Sequence, residues 1–465
     1  MTKAILIGAG FSCDLGMPSA AQLSKTFFAY FNYEKVSKFI IPQIEYFKPY
    51  GKGIDLSKEA FNDILEVFKN NKEDNYERFI KQIEQLEYKR LTPNYTRTIH
   101  YFISILYDTI YNFFLSFHIS KYPIYSIMKS TYSFLKDYLS KNEETWILSL
   151  NHDLMIEFLA LDYNIPLKFG ACLEQNYLLD NEKNKDKIIT FNKLSRDDYE
   201  IDKMDFFRNQ YGINLIKLHG GLNEFSFGDN GNFNYGKNLL YTSLKNCKHS
   251  EDYNLLIRQI NNDMTYYVNG KNIPIMKEIA APYVDKDSFE LLRKSMLTGG
   301  RKFSPTLGDD SGTSMYLFRE VLSRIDSLDI IGYGFNDIHI NDRIDQAMIL
   351  NPNLKLNIAK FADTQIPHCI ERHNHDNRIK YSSGFRTPHL LHYWVTNEQK
   401  HPEEEKLGDM LEITNSQEDF KKFLDKYLIG GKIDEAILKY TMDAIEIMQK
   451  TKVNSDSRYT SNNAR

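Results

Sequence analysis

Short apolar runs closed by small residues recur along this chain, at 4–7 before Gly8-Ala9-Gly10, at 145–150, at the run ending Leu218-His219-Gly220, at 328–331 before Gly332, and at 354–359. Runs this short and this uniformly apolar read as strands buried on both faces, as in a parallel sheet. Between them the spacing turns helical. Pro18-Ser19 opens a helix carrying Leu23, Phe27, Tyr30 and Phe31 at helical intervals. Further stripes follow at Phe61, Ile64, Leu65 and Phe68, and at Ile99, Phe102, Leu106, Ile110, Phe113 and Phe117. Helices are also expected over 153–161, 315–327 and 338–350. Strand, helix, strand in alternation implies right-handed crossovers and an α/β fold with a doubly wound parallel sheet.

The pattern divides the chain. Residues 1–20 and 140–400 read as the α/β body, 21–139 as a helical insertion whose aromatic stripes are core, and 401–452 as C-terminal helices. In the last of these, Ser416 and Asp419 have capping-box spacing ahead of Phe420, Phe423, Leu424 and Tyr427. Gly430-Gly431 stops that helix, and a final helix is expected over 433–448. The polar tail 453–465 reads as disordered. The Gly- and Asn-rich stretch 220–237, with Phe225, Phe227, Phe233 and Tyr235 alternating, predicts hairpins over the end of the preceding strand.

Composition adds limits. At 465 residues there is room for roughly two to four domains. A net charge of −4 argues against coating nucleic acid, and no direct nucleic-acid binding is expected. The 31 Tyr and 30 Phe supply large buried surfaces for helix packing. Cys13, Cys172, Cys247 and Cys369 are too few and too scattered for a disulfide framework, so a reducing cytoplasm fits. No secretory signal is read at the start, because Met1-Thr2-Lys3 leads directly into the first strand. The apolar stretch 98–120 invites a membrane reading. Asp108 at its centre would cost ~2.5–3.5 kcal/mol in a bilayer, and a helix packed within the protein is expected instead.

The chemistry-bearing residues sit at strand ends. Gly8-Ala9-Gly10-Phe11-Ser12 would let backbone N–H groups approach a phosphate, although a tight structural turn explains the glycines equally well. It is not a dehydrogenase fingerprint, because position 13 is Cys13 rather than glycine. Asn151 and Asp153 follow the second strand, where an asparagine also serves as a helix cap. His219 follows another. Gly332, Phe335, Asn336 and Asp337 close a fourth strand, with a helix cap at Asn336 or Asp337 as the alternative reading. His339, inside the next helix, reads as packing or surface. The cluster His368, Cys369, His373 and His375 has ligand-like spacing but lies among charged residues, so a solvated loop is expected and no metal.

Taken together, Gly8-Ala9-Gly10-Phe11-Ser12 with Gly16-Met17-Pro18, Leu150-Asn151-His152-Asp153, and Lys217-Leu218-His219-Gly220 resemble the NAD site of the sirtuins. The resemblance covers about 1–20 and 140–360. It implies a Rossmann-like sheet of the sirtuin type with NAD as substrate, its pyrophosphate on Gly8 to Ser12 and its nicotinamide ribose between Asn151 and His219. Asn151 would position water or ribose, His219 would hydrogen-bond or deprotonate a ribose hydroxyl, and Asp153 would brace the loop. The segment 331–341 is similar to the late motif of sirtuin-like proteins of bacterial anti-phage defence, where it helps hold the nucleotide.

The departures matter as well. Protein-deacylating sirtuins carry a structural zinc on two Cys-x-x-Cys pairs, which this sequence lacks, so no zinc ribbon and no metal are expected. The implied activity is therefore an NAD glycohydrolase releasing nicotinamide and ADP-ribose, a gated NAD-depleting effector of abortive infection. A protein deacylase or ADP-ribosyl transferase is the alternative enzyme, and a noncatalytic NAD or ADP-ribose sensor the alternative of another class. Within the defence group, Asp337 to Asn341 followed by Leu350-Asn351-Pro352 most resembles the sirtuin-like subunit encoded beside HerA-type ring ATPases. That implies such a partner, together with self-association into a homo-oligomer.

Overall fold

The computed structural model describes residues 3–47, 55–140, 144–179, 187–195, 200–227, 238–264, 278–285, 288–296, 310–361, 365–412 and 417–428. Phe233, Tyr235, Ser416, the expected helix 433–448 and the tail lie outside them.

Seven strands form one parallel sheet: β1 (Lys3–Ile7), β2 (Glu144–Ser149), β3 (Leu167–Lys168), β6 (Gly212–Lys217), β11 (Ser327–Ile331), β12 (Lys355–Lys360) and β13 (Ile379–Ser383). Their order is β13-β12-β11-β1-β2-β6-β3. The chain thus goes from β1 to β2 and on to the edge strand β3, comes back to place β6 between β2 and β3, then crosses to the other side of β1 for β11, β12 and β13. The sheet is doubly wound and its order reverses beside β1. Every strand pair in it is parallel. Ala4, Ile5, Leu6 and Ile7 are all buried, as the unbroken apolar run requires of a central strand covered on both faces.

Register levels the strand ends. Ile7 pairs with Ile331 on one side and Ser149 on the other, and Ser149 pairs with Lys217. The residues just beyond therefore emerge along one edge, which is where open α/β sheets bind ligands.

Helices fill the insertion. The stripe residues Leu23, Phe27, Phe31, Phe61, Ile64, Phe68, Ile99, Phe102, Leu106 and Ile110 enter the main core, whereas Tyr30 stays exposed against Phe113. The first of these helices starts on a capping box formed by Ser19 and Gln22. Pro93–Met128 is long and apolar enough to cross a membrane by length and composition alone. Here it packs into the protein, its buried Tyr111 donating to Leu222 O and its His118 Nε2 accepting from Leu154 N.

The stretch between β3 and β11 holds more than hairpins. β4 (Leu173–Leu179), β5 (Lys187–Ser195), β7 (Glu224–Phe227), β8 (Asn238–Thr242), β9 (Glu278–Pro282) and β10 (Phe289–Lys294) form a second sheet in the order β4-β5-β8-β7-β10-β9. All its pairings are antiparallel; β7 falls within the stretch expected to form hairpins, and its partner β8 lies just beyond that stretch. An antiparallel bridge between Tyr177 and Tyr283 joins its two outer strands, so the sheet curls on itself. It has its own apolar core, with Phe191, Phe225, Leu240 and Leu292 fully buried. The period-2 alternation was readable at Phe225 and Phe227, but the pairing of strands from 173 to 294 is nonlocal.

Candidate functional site

At the end of β1 the glycines meet protein. Gly8 N donates to Ile331 O at 2.9 Å and Gly10 N to Gly332 O at 3.0 Å. A Cβ added to Gly8 would lie 2.7 Å from Gly332 O, and one on Gly10 would lie 2.8 Å from Gly332 Cα. The close backbone approach these glycines permit is therefore to the end of β11. Residues Ala9–Cys13 then make a short helix rather than an open loop. That helix is held from two sides. Tyr132 of the insertion donates to Phe11 O at 2.6 Å, and Thr387 donates to Gly10 O at 3.3 Å. Behind it, Arg386 forms a buried ion pair with Asp14.

The same helix meets the segment after β2. Asn151 Nδ2 donates to Gly8 O at 3.0 Å and to Ser12 Oγ at 3.1 Å, while Asn151 N donates to Ser149 Oγ at 3.1 Å. Its Oδ1 has no partner among the described residues. Asn151 is thus a tie between two strand ends that keeps one acceptor in hand, and not a helix cap. Asp153, also buried, accepts from Met155 N at 3.1 Å and lies against the Ser12 hydroxyl. Burial raises its carboxyl above the usual range, opposed by the Lys217 charge and those hydrogen bonds.

His219 follows β6 and is wholly buried. Two residues earlier, Lys217 Nζ pairs with Glu157 at 2.8 Å, both side chains at most 1% exposed, and donates to Asp153 O at 2.5 Å. This buried cation anchors the Asn151 to Asp153 segment to the strand carrying His219. His152 stands between them, its ring 6.3 Å from that of His219 and its Nδ1 3.1 Å from Gly220 O. Phe114 packs edge-on against His152, so the long insertion helix forms one wall.

The segment after β11 completes the edge. Gly332 and Phe335 both have positive φ, +65° and +57°, which turns the chain sharply before the helix Ile338–Leu350. Tyr333 braces this turn by donating to Asn341 Oδ1 at 2.9 Å, and Asn341 Nδ2 donates to Phe335 O at 2.9 Å. Asn336 is exposed, and Asp337 is buried at the N-cap, its backbone carbonyl accepting from Ile340 N and Asn341 N.

The structure therefore brings Gly8, Gly10, Phe11, Ser12, Asn151, Asp153 and Gly332 into one contact set, with Ala9 in the same short helix. His219 lies at the neighbouring strand end, and Phe335, Asn336 and Asp337 lie on the turn beyond. His339, expected as packing or surface, is half-buried with its Nε2 3.1 Å from His219 Nε2. Its place in the first turn of the helix after the switch-point strand was the available signal. The cluster at 368–375 is a 3-10 turn rather than a loop: His368, Glu371, Arg372 and Asn374 are exposed as expected, but His373 is buried with Nε2 2.8 Å from Asp345. Among the described residues no group of three His, Cys, Asp or Glu is arranged to hold a metal ion. An open groove of about 790 Å³ beside Phe169, Lys245 and Cys247 shares none of these site residues.

No family model matches the chain, and no curated protein matches it. Solved structures similar to it include Sir2 homologues and sirtuins. A mutant Sir2 homologue in complex with 2'-O-acetyl ADP ribose is 10% identical with a TM-score of 0.33, over 85% of this chain and 91% of that one. Sir2Tm bound to a propionylated peptide is 11% identical with a TM-score of 0.30, over 85% and 92%. A sirtuin from work on substrate affinity is 12% identical with a TM-score of 0.30, over 86% and 94%. Such values are too low to place the chain in a family, and the doubly wound α/β architecture rests on strand order and register.

Proposed function

We propose that this chain hydrolyses NAD to nicotinamide and ADP-ribose at the edge where β1, β2, β6 and β11 end. The observation that carries the reading is the pair of hydrogen bonds that Asn151 Nδ2 donates to Gly8 O and Ser12 Oγ beside a buried His219, at the point where strand order reverses. The residues fit a dinucleotide's ribose, which needs both hydrogen-bond donors and acceptors held rigidly. Cleaving the bond to a cationic nicotinamide nitrogen requires an oriented sugar and an admitted water rather than a strong acid. Asn151 Oδ1 orients water or ribose, His219 hydrogen-bonds or takes a proton from a ribose hydroxyl, and Asp153 braces the loop. The segments Gly8 to Ser12 and Gly332 to Asp337 flank the nucleotide. The ties of Gly10 and Phe11 to Thr387 and Tyr132, and of Asp14 to Arg386, link this strand end to the insertion and to the segment after β13, and supply a route by which self-association or a HerA-type ATPase would gate an otherwise toxic activity.

The test follows nicotinamide release from NAD by the full chain, alone and with the candidate ATPase, together with light scattering. Asn151→Ala and His219→Ala should each lower cleavage by at least ~10²-fold in a folded protein. Full turnover by a folded His219→Ala variant sinks the mechanism.

A further inference from the structure

We propose that His339 is a substrate-binding residue that grips, together with His219, one hydroxyl of the ribose; the proposal rests on the NAD reading above. The two Nε2 atoms are 3.1 Å apart, with ring centroids 5.3 Å apart and planes at 45°. Imidazole nitrogens at that distance take opposite roles, one as N–H donor and the other as bare acceptor. A hydroxyl needs that same pair of partners, since it donates one proton and accepts another. Placed between them, it spreads the nitrogens to roughly 4.5 Å, given O–H···N and N–H···O separations of about 2.8 Å.

Only one partner is built to yield. His219 is wholly buried at a strand end, whereas His339 is half-buried in the first turn of its helix, after an exposed Ile338. Arg343 Nη1 holds His339 O at 2.7 Å, so the backbone stays while the side chain swings. His152 cannot substitute, because its Nδ1 is turned to Gly220 O. The grip makes and breaks no covalent bond. It orients the sugar hydroxyl while His219 remains the group that receives its proton.

The test compares binding of ADP-ribose and of ADP, which lacks the terminal ribose, by calorimetry on the full-length wild type, His339→Ala and His339→Gln, with nicotinamide release measured in parallel. His339→Ala should weaken ADP-ribose about tenfold and leave ADP unchanged, the scale of one lost hydrogen bond. His339→Gln, whose amide donates from a similar position, should restore most of the loss. If His339→Ala keeps the full preference for ADP-ribose over ADP while the wild type cleaves NAD, the grip is overturned and the hydrolase reading stands. A His339-dependent preference in a wild type that releases no nicotinamide keeps the grip and overturns hydrolysis. Binding of neither nucleotide, with no cleavage, overturns both.

Discussion

Replacing three glycines one at a time separates two costs that the strand-end junction combines. Gly384 has φ +82° with nothing within 4 Å of an added Cβ, so Gly384→Ala pays only for the left-handed backbone. That cost is roughly 1–2 kcal/mol, partly offset by a more restricted unfolded chain. Gly8 has φ −116°, an ordinary extended value, but its Cβ would meet Gly332 O at 2.7 Å. Gly8→Ala therefore pays for overlap alone, about 1–3 kcal/mol. Gly332 combines both, with φ +65° and a Cβ 2.4 Å from Phe11 N. The atoms in the way are backbone, and Phe11 is itself tied to Tyr132, so little can move aside. Gly332→Ala should cost roughly 2–5 kcal/mol, close to the sum of the other two and more than either. Urea denaturation of the full chain reads all three, with ADP-ribose binding measured on the folded fraction. A Gly332→Ala variant as stable as Gly384→Ala would refute the interlocking of the two strand ends.

Other consequences follow from the buried charges. Lys217→Met leaves Glu157 buried without its cation and should cost about 3–5 kcal/mol, most of it recovered in the double variant Lys217→Met/Glu157→Leu, as read by denaturation; no recovery would show that Lys217 acts chiefly through Asp153 O. Burial, with the Lys217 charge, pushes His118 from the ordinary 6.5 down to about 3. The unfolded chain therefore takes up a proton below pH 6.5 that the folded chain excludes, so this contribution is intact above 6.5 and stability falls as pH drops toward 3. The slope should be up to about 1.4 kcal/mol per pH unit, and His118→Gln, which can still accept from Leu154 N, should flatten it. An unchanged slope between pH 7 and 5 in that variant would remove His118 from the account.

Local pattern determined much of this protein. Apolar runs closed by glycine marked β1 and β11, and aromatic residues at helical spacing marked the insertion, because both periods are properties of neighbouring residues. The order of Asn151, His219 and Gly332 at strand ends was legible for the same reason. What the glycines approach was not. Gly8 and Gly10 touch Gly332, more than 300 residues away, and only the register of β1 with β11 decides that contact. His339 read as a surface or packing residue until the crossover laid its helix beside the end of β6. The second sheet was equally hidden, since its six short strands alternate locally but acquire partners, and a closed apolar core, only through long-range pairing. Side-chain period is a one-dimensional property that a chain carries in its sequence, whereas register and crossover path are settled when distant segments compete for the same buried surface.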